Sequence, residues 1–366
     1  MAKGQPYLIR DFRQGRYSKD VVTTLLTPEN SVSNSININF DEIIGSAKVR
    51  AGTTKLGDTV QASGIPRGLA PFVGPAGTPN LLLAVFSNGS VAKMYFYDTA
   101  WHASNDLQSL DADVKNRFAV LGGRAFQTNT VDGMHDSANG DDWGTDNSIP
   151  IYKPSTVYRY QARLLATGDP TFPDRVFFSS IIDPNSSPFI TWDVDPATGD
   201  WIDVNPDDGG YTTGFSESST FVLIFKNTGM YRMDTVSKTI DPDNIFNVGA
   251  VSQEAITLCQ GVTYFFSGVD IRRTNGGYPE QISRVGVQDF IDAIPQTNWT
   301  SVCAGTDQLN VYFFIGDVTL HKNQTNERSY TNVVLKFSPR DQNWSVHRYA
   351  GNFKFFAPFV TQILAL

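Results

Sequence analysis

The strongest constraint on this chain is a run of short apolar segments cut by turn clusters, clearest between Tyr160 and Asp234. There the segments RLLAT, RVFFSS, TFVLIF and MYRM alternate with GDPTFPD, DPNSSP, DPATGD and KNTG. β-branched and aromatic residues suit a pleated, half-buried surface. Gly supplies positive φ, Asp and Asn cap turns with a side-chain oxygen, and Pro fixes φ. Segments this short leave no room for helices, so the stretch predicts antiparallel strands joined by tight connections.

The pattern repeats. TLCQGVTYFFSG (257–268) and SVCAGTDQLNVYFFIG (301–316) each place a Cys, a Gly two residues later, and then Tyr-Phe-Phe, with Cys259 and Cys303 44 positions apart. A period of about 40 to 50 residues with four short strands per unit is what propeller blades show, because one such sheet cannot bury both faces alone. LAPFV (69–73) returns near the end as FAPFV (356–360), and the 287 positions between Ala70 and Ala357 hold about six or seven units. The fold expected is therefore all-β, a β-propeller of about six blades over 69–366. An extended N-terminal arm with one outer strand, ININFDEIIG, precedes it in 1–68. The terminal run FKFFAPFVTQILAL reads either as the strand that closes the ring, beside Leu69 to Val73 or beside the arm, or as a seventh blade cut short.

Local signals fill in the blades. Asn88-Gly89, Gly122-Gly123 and Gly276-Gly277 each sit between apolar runs and predict hairpins. VQDFIDAI (287–294) carries apolar residues at helical spacing and predicts one short helical turn, while KTIDPDNIFNVGAVSQEAI (238–256) reads as a link between blades.

Composition narrows function. The chain has 37 acidic and 29 basic residues, a net charge of −8, and only short basic pairs such as Arg272-Arg273. Sequence-specific binding to a duplex, which needs clustered cations, is not expected. An acidic surface suits solubility or a channel wall to which DNA does not adhere. MAKGQPYLIRDF lacks the apolar core of a secretory signal, and no run of about 18 apolar residues spans a membrane. Cys259 and Cys303 read as small buried hydrophobes in a chain made in a reducing cytoplasm, which makes the acceptor-like triplets at Asn185, Asn298, Asn323 and Asn343 chance matches.

Candidate chemistry is sparse. His102, His135, His321 and His347 are scattered without metal-ligand spacing. No nucleophile elbow, phosphate loop or zinc pattern is present. The acidic stretch DGMHDSANGDDWGTDN holds Asp132, Asp136, Asp141, Asp142 and Asp146 but departs from the helix-loop-helix calcium spacing, so it reads as a solvated loop with an ion site as the alternative. A propeller glycosidase would need two carboxylates across a pocket, for which Asp174, Asp193, Glu217 and Glu254 are the candidates. Trp143, Trp201 and Trp344 are the aromatics that would stack on sugar if exposed, whereas the Phe residues read as packing between blades. No catalytic, cofactor-binding or metal residue is assigned, and no cofactor is expected.

The order of segments resembles the nozzle or tail-stabilisation proteins of short-tailed bacteriophages. The resemblance lies in TTLLTPENSVSNSININFDEIIGSAKVRAGTTKLG ahead of the propeller, GDPTFPDRVFFSS (168–180), SESSTFVLIFKNTGMYRMD (216–234) and VSQEAITLCQGVTYFFSGVDIRRTNGGYPEQIS (251–283). It implies a non-enzymatic structural protein of the virion tail, a homo-oligomeric ring, taken as a hexamer, below the portal and its adaptor. Phage DNA would pass through that ring without sequence-specific binding and be retained until ejection. Family members continue past the propeller into a further β region, a segment this sequence does not contain. The competing reading is a receptor- or glycan-binding propeller, in its strongest form a glycoside hydrolase.

Overall fold

The computed structural model describes residues 36–39, 48–50, 53, 56, 64–74, 80–186, 188–218, 220–234, 237–321, 327–359 and 362–365. Most of the N-terminal arm, including residues 1–35 and the FDEIIG part of its expected strand, therefore lies outside the described residues, as does Leu366. A short pair, β1 (Ile38–Asn39) and β2 (Lys48–Val49), precedes the first blade.

Six sheets follow, and each is one consecutive stretch of chain. Blade 1 comprises β3 (Ile65–Val73), β4 (Asn80–Ser87), β5 (Ala92–Tyr97) and β6 (Trp101–Ala103). Blade 2 has β7 (Arg117–Leu121), β8 (Arg124–Asn129) and β9 (Gly133–Ser137), and blade 3 has β10 (Thr156–Tyr160), β11 (Arg163–Thr167), β12 (Arg175–Phe178) and β13 (Trp201–Asp203). Blade 4 comprises β14 (Thr212–Glu217), β15 (Phe221–Lys226), β16 (Met230–Asp234) and β17 (Thr239–Phe246). Blade 5 holds β18 (Ile256–Cys259), β19 (Val262–Phe266), β20 (Ile271–Thr274) and β21 (Glu280–Gln281). Blade 6 holds β22 (Cys303–Thr306), β23 (Val311–His321), β24 (Glu327–Ser338) and β25 (Asn343–Arg348), and a two-stranded hairpin, β26 (Phe356–Phe359) and β27 (Gln362–Ala365), completes the order. The one α-helix among the described residues, α1 (Gln288–Asp292), falls where helical spacing predicts it.

Every sheet is an antiparallel meander, and the first strand of each blade lies at the axis, where it touches the first strands of its neighbours. This is a six-bladed propeller. The ring closes through β26, which touches both β22 and β3. Ala357 of β26 is buried in one cluster with Leu69, Leu82 and Ala84 of blade 1, and Phe356 packs against the Cα of Gly305 on β22. The closing-strand reading beside Leu69 and the seventh-blade reading therefore each hold in part. It closes the ring beside Leu69, and it does so as a two-stranded element in a seventh position.

Alternation along the strands places Phe72, Phe126, Phe177, Phe178, Phe215, Phe225, Phe265 and Phe266 in the layers between sheets, all essentially inaccessible. Burying such a ring stabilises by roughly 2 kcal/mol or more. The predicted turns are present. Gly122 and Gly123, at φ 57 and 79, join β7 to β8 in the left-handed region that hairpin twist favours. Asn88 Oδ1 accepts from the N–H groups of Ser90 and Val91 beside Gly89 at φ 90.

Three local expectations are corrected. The repeated Cys positions are not equivalent: Cys259 ends β18 beside its turn, whereas Cys303 begins β22 and faces Phe314. The Tyr-Phe-Phe repeat does mark the second strand of both blades, with Tyr264 opposite Thr257 and Tyr312 opposite Gly305, but Cys259 comes after its Tyr's partner and Cys303 before it, so the cysteines lie on opposite sides of the shared register. The stretch 238–256 is not only a link, since Thr239–Phe246 is the outer strand of blade 4. Pro242 is tolerated there because an outer strand leaves one edge without ladder bonds. The acidic stretch 132–147 is not wholly a solvated loop either. Gly133–Ser137 is the third strand of blade 2, and Gly144 exchanges backbone hydrogen bonds with Asp136 at 3.0 and 2.9 Å, supplying the blade's outer edge.

Candidate functional site

The inner strands begin at one end of the axis, and there the sequence places charge. Arg117 is the first residue of β7, Lys115 lies two residues before it, and Glu254 lies in the 3-10 turn Gln253–Ala255 just before β18. The same turn is fixed to blade 4 by Gln253, whose side-chain amide accepts from Phe215 N (2.7 Å) and donates to Phe215 O (3.1 Å). Blades 2 and 5 are not neighbours, so contacts between them cross the axis.

These contacts form one strap. Arg117 donates to Glu254 from Nε (2.6 Å) and Nη2 (3.0 Å), and its Nη1 donates to Ser155 O (2.9 Å) just before blade 3. Lys115 Nζ donates to Glu254 Oε2 (3.0 Å) and to Thr300 O (2.8 Å), and lies 6.0 Å from the centre of the Phe355 ring. Burial alone would raise the Glu254 pKa. The Arg117 and Lys115 cations outweigh it and hold the carboxyl well below the ordinary carboxylate range. A carboxylate bound bidentately by a guanidinium and again by an ammonium is a structural anion, and it neither donates nor accepts a proton near neutral pH. Beside it, burial pushes the Cys303 thiol far above its usual range, so it is inert.

The other glycosidase candidates do not converge on Glu254. Asp174 forms an ion pair with the buried Lys226 at 2.7 Å, and Lys226 also pairs with Asp208 and donates to the carbonyls of Val204 (3.1 Å) and Asn205 (3.0 Å). Burial opposes the charge on Lys226, but its hydrogen bonds to the two carboxylates raise its pKa. Burial likewise opposes the charge on Asp208, yet the bonds it accepts bring its pKa down to about 2. Asp193 accepts from Asp195 N at 3.1 Å in the β12–β13 connection. Glu217 ends β14, where burial raises its pKa against the pull of Arg159. Among the described residues no hydrogen bond, ion pair or common partner joins any two of these four carboxylates.

The acidic stretch is knit together by donors. Asp132 accepts from Asp111 N (2.9 Å) and Asn129 Nδ2 (2.8 Å), and Asp136, 1% exposed, is bound by Arg124 and Asn147. Asp141 and Asp142 take amide donors from Asn105, and Asp142 takes another from Asn139. Among the described residues no three His, Cys, Asp or Glu side chains form a metal-holding group. The indole rings also differ from the glycan-binding expectation. Trp143 and Trp344 are 8% and 3% exposed, with their N–H groups bonded to Gly140 O and Ile282 O, and Trp201 is covered on one face by Arg175 at 3.4 Å.

Of the histidines, His102 pairs with Asp98 (3.2 Å), His135 meets Gln127 (3.2 Å), and His347 lies buried on β25. The His321 side chain falls outside the described residues. A cavity of about 480 Å³ lies between the α1 region and the long β23–β24 hairpin, lined by Asp292, Ile294, Asp317, Val318 and Tyr330. Its carboxylates are engaged, Asp292 with Gln288 Nε2 (2.9 Å) and Asp317 with Asn332 N (2.8 Å).

Sequence reasoning missed Lys115, Arg117 and Lys226. Each is a lone basic residue beside a strand, and nothing in its spacing distinguishes it from a surface cation.

No protein-family model matches the chain, and no curated protein sequence matches it. Among solved structures it is similar to a virginiamycin B lyase from Staphylococcus aureus, at 12% identity and a TM-score of 0.46, over 80% of this chain and 96% of that one. It is also similar to the Cps50 (Swd1) β-propeller domain of Myceliophteria thermophila, at 8% identity and a TM-score of 0.47, over 80% of this chain and 98% of that one. The propeller assignment stands on the order and pairing of the sheets in this chain.

Proposed function

We propose that this chain is a structural subunit of a bacteriophage tail, a nozzle or hub protein that works as a homo-oligomeric ring below the portal and adaptor. The observation that carries the proposal is the axial strap. At the axis the charged side chains of blades 2 and 5 are tied together as Arg117, Lys115 and Glu254, which leaves the outer surfaces and the arm to do the work. Those are the parts that subunit contacts use. In this reading DNA travels through the hole between subunits, not through the bore of a propeller, and the net charge of −8 keeps it from adhering. The sequence resemblance supplies the phage context and the virion location, with synthesis in the host cytoplasm. The chain has no enzymatic role in this proposal.

Electron microscopy of the purified chain, alone and mixed with a portal and adaptor assembly, tests it. Rings with a central hole between subunits are expected. Single propellers in both samples overturn the proposal while leaving the fold intact. Deletion of residues 1–68 is expected to abolish assembly on the adaptor, and unchanged assembly would remove the arm from the account.

A further inference from the structure

The described part of the arm lies against the outer strand of blade 6. Asn37, at φ 61, donates its N–H to Val346 O (2.7 Å), and its side-chain oxygen accepts from Arg348 N (2.8 Å). Arg50 Nη2 donates to Arg348 O (2.7 Å), Arg50 Nε donates to Asn37 Oδ1 (3.1 Å), and the guanidinium lies 4.1 Å above the Tyr349 ring. On the next strand inward, Lys336 Nζ reaches Asn39 Oδ1 at 3.4 Å. Ile36 packs against the apolar layer between blades 5 and 6.

His347 is enclosed within these contacts. It is 2% exposed, and neither ring nitrogen makes a hydrogen bond of good geometry. The charged groups acting on it are Lys336 from β24 and Arg50 from the arm, both cations. The Tyr349 ring, one residue past β25, lies 6.3 Å away, and the Ile38 backbone favours a proton on the ring. A protonated imidazole here would carry its charge on a ring that is 2% exposed and already acted on by the Lys336 and Arg50 cations.

We propose that the arm is latched to blade 6 through a histidine that must stay neutral, so that mild acid frees residues 36–39 and 48–50 and uncovers the outer edge of β25. The direction follows from linkage. Burial first, then Lys336 and Arg50, lower the His347 pKa to about 3 in the docked state, against an ordinary 6.5. Docking is therefore fully favourable above about pH 6.5 and weakens as pH falls below that value, by roughly thirtyfold between pH 7.5 and pH 5. The change levels off only near the docked value.

Hydrogen exchange on the full chain reads this directly, as protection of the amides in 36–39 and 48–50 corrected for intrinsic exchange. A loss of roughly thirtyfold from pH 7.5 to pH 5 is expected, and a flat profile is expected in His347→Gln. Unchanged protection in the natural chain, or an equal loss in the variant, overturns the proposal. Should the variant not fold, the His347 ring resonance in the natural chain decides. Ring protonation in step with loss of arm protection supports the latch. Loss of arm protection with the ring still neutral, or ring protonation near pH 6.5 with the arm still protected, rejects it. None of these outcomes depends on ring assembly, so the latch and the tail-ring proposal fail or stand separately.

Discussion

The axis and the rim of blade 6 are built alike and respond in opposite ways. At the axis Glu254 sits between Arg117 and Lys115, while at the rim His347 sits between Arg50 and Lys336. In both places a buried titratable side chain lies beside two cations, at the axis both from blade 2, at the rim one from the arm and one from the neighbouring strand. The carboxylate is ionised and is held by its two cations. The imidazole is neutral and, once charged, would be expelled by its own. The sign of one side chain thus separates a permanent strap from a releasable latch.

The largest expected effect tests the strap. Glu254→Ala leaves the Arg117 and Lys115 cations of blade 2 without their carboxylate on the far side of the axis and is expected to cost about 3–5 kcal/mol in urea denaturation. A cost below about 1 kcal/mol would mean that the cations relax into solvent and the strap does not exist. Lys226→Ala is expected to cost somewhat less, about 3 kcal/mol, because Asp174 and Asp208 are each partly exposed and water can replace the ammonium. A value equal to that of Glu254→Ala would remove the distinction drawn here between axis and blade boundary.

The comparison sharpens with pH. Glu254 has its pKa lowered on folding, so its contribution is present above the ordinary 4.5 and is lost as pH falls below that value toward the folded pKa. The stability gap between the natural chain and Glu254→Ala is therefore expected to stay constant from pH 8 to about pH 5, over the range in which arm protection collapses. A gap that shrinks between pH 7 and pH 5 would contradict it. The smallest effect concerns the arm itself. Asn37→Ala loses a side-chain acceptor and places a Cβ-bearing residue without local hydrogen bonds at φ 61, which is expected to weaken docking by about 1–2 kcal/mol. Exchange at 48–50 should speed up accordingly, with global unfolding unchanged.

What the sequence revealed follows from the range of the forces involved. Hairpins with Asn88-Gly89 or Gly122-Gly123 are local, and Tyr264-Phe265-Phe266 and Tyr312-Phe313-Phe314 mark equivalent strands because nearest-neighbour sheets demand the same packing. The meander, the blade count and the short helix at Gln288–Asp292 were legible for that reason. Lys115, Arg117 and Glu254 were not legible as a unit, since a contact across the ring has no period. Glu254 stood out only as one acid among 37. Composition misled at Asp136, where Gly and Asp suggested solvent and the strand buries the carboxylate under Arg124 and Asn147. It misled again at Trp143 and Trp344, whose indole N–H groups find backbone acceptors inside the fold.

The hairpin β26–β27 gives the ring a mechanical character of its own. Each of the six blades is a consecutive segment, and the junction between the last and the first is made by a wedge, with no ladder shared between the first and last blades. A hoop joined this way is parted by shear between packed side chains, not by unzipping a sheet. Arg117 and Glu254 run across it as a spoke between blades 2 and 5, so tension drawing residues 65 and 359 apart would spread the wedge while opposite sides of the hoop stay tied.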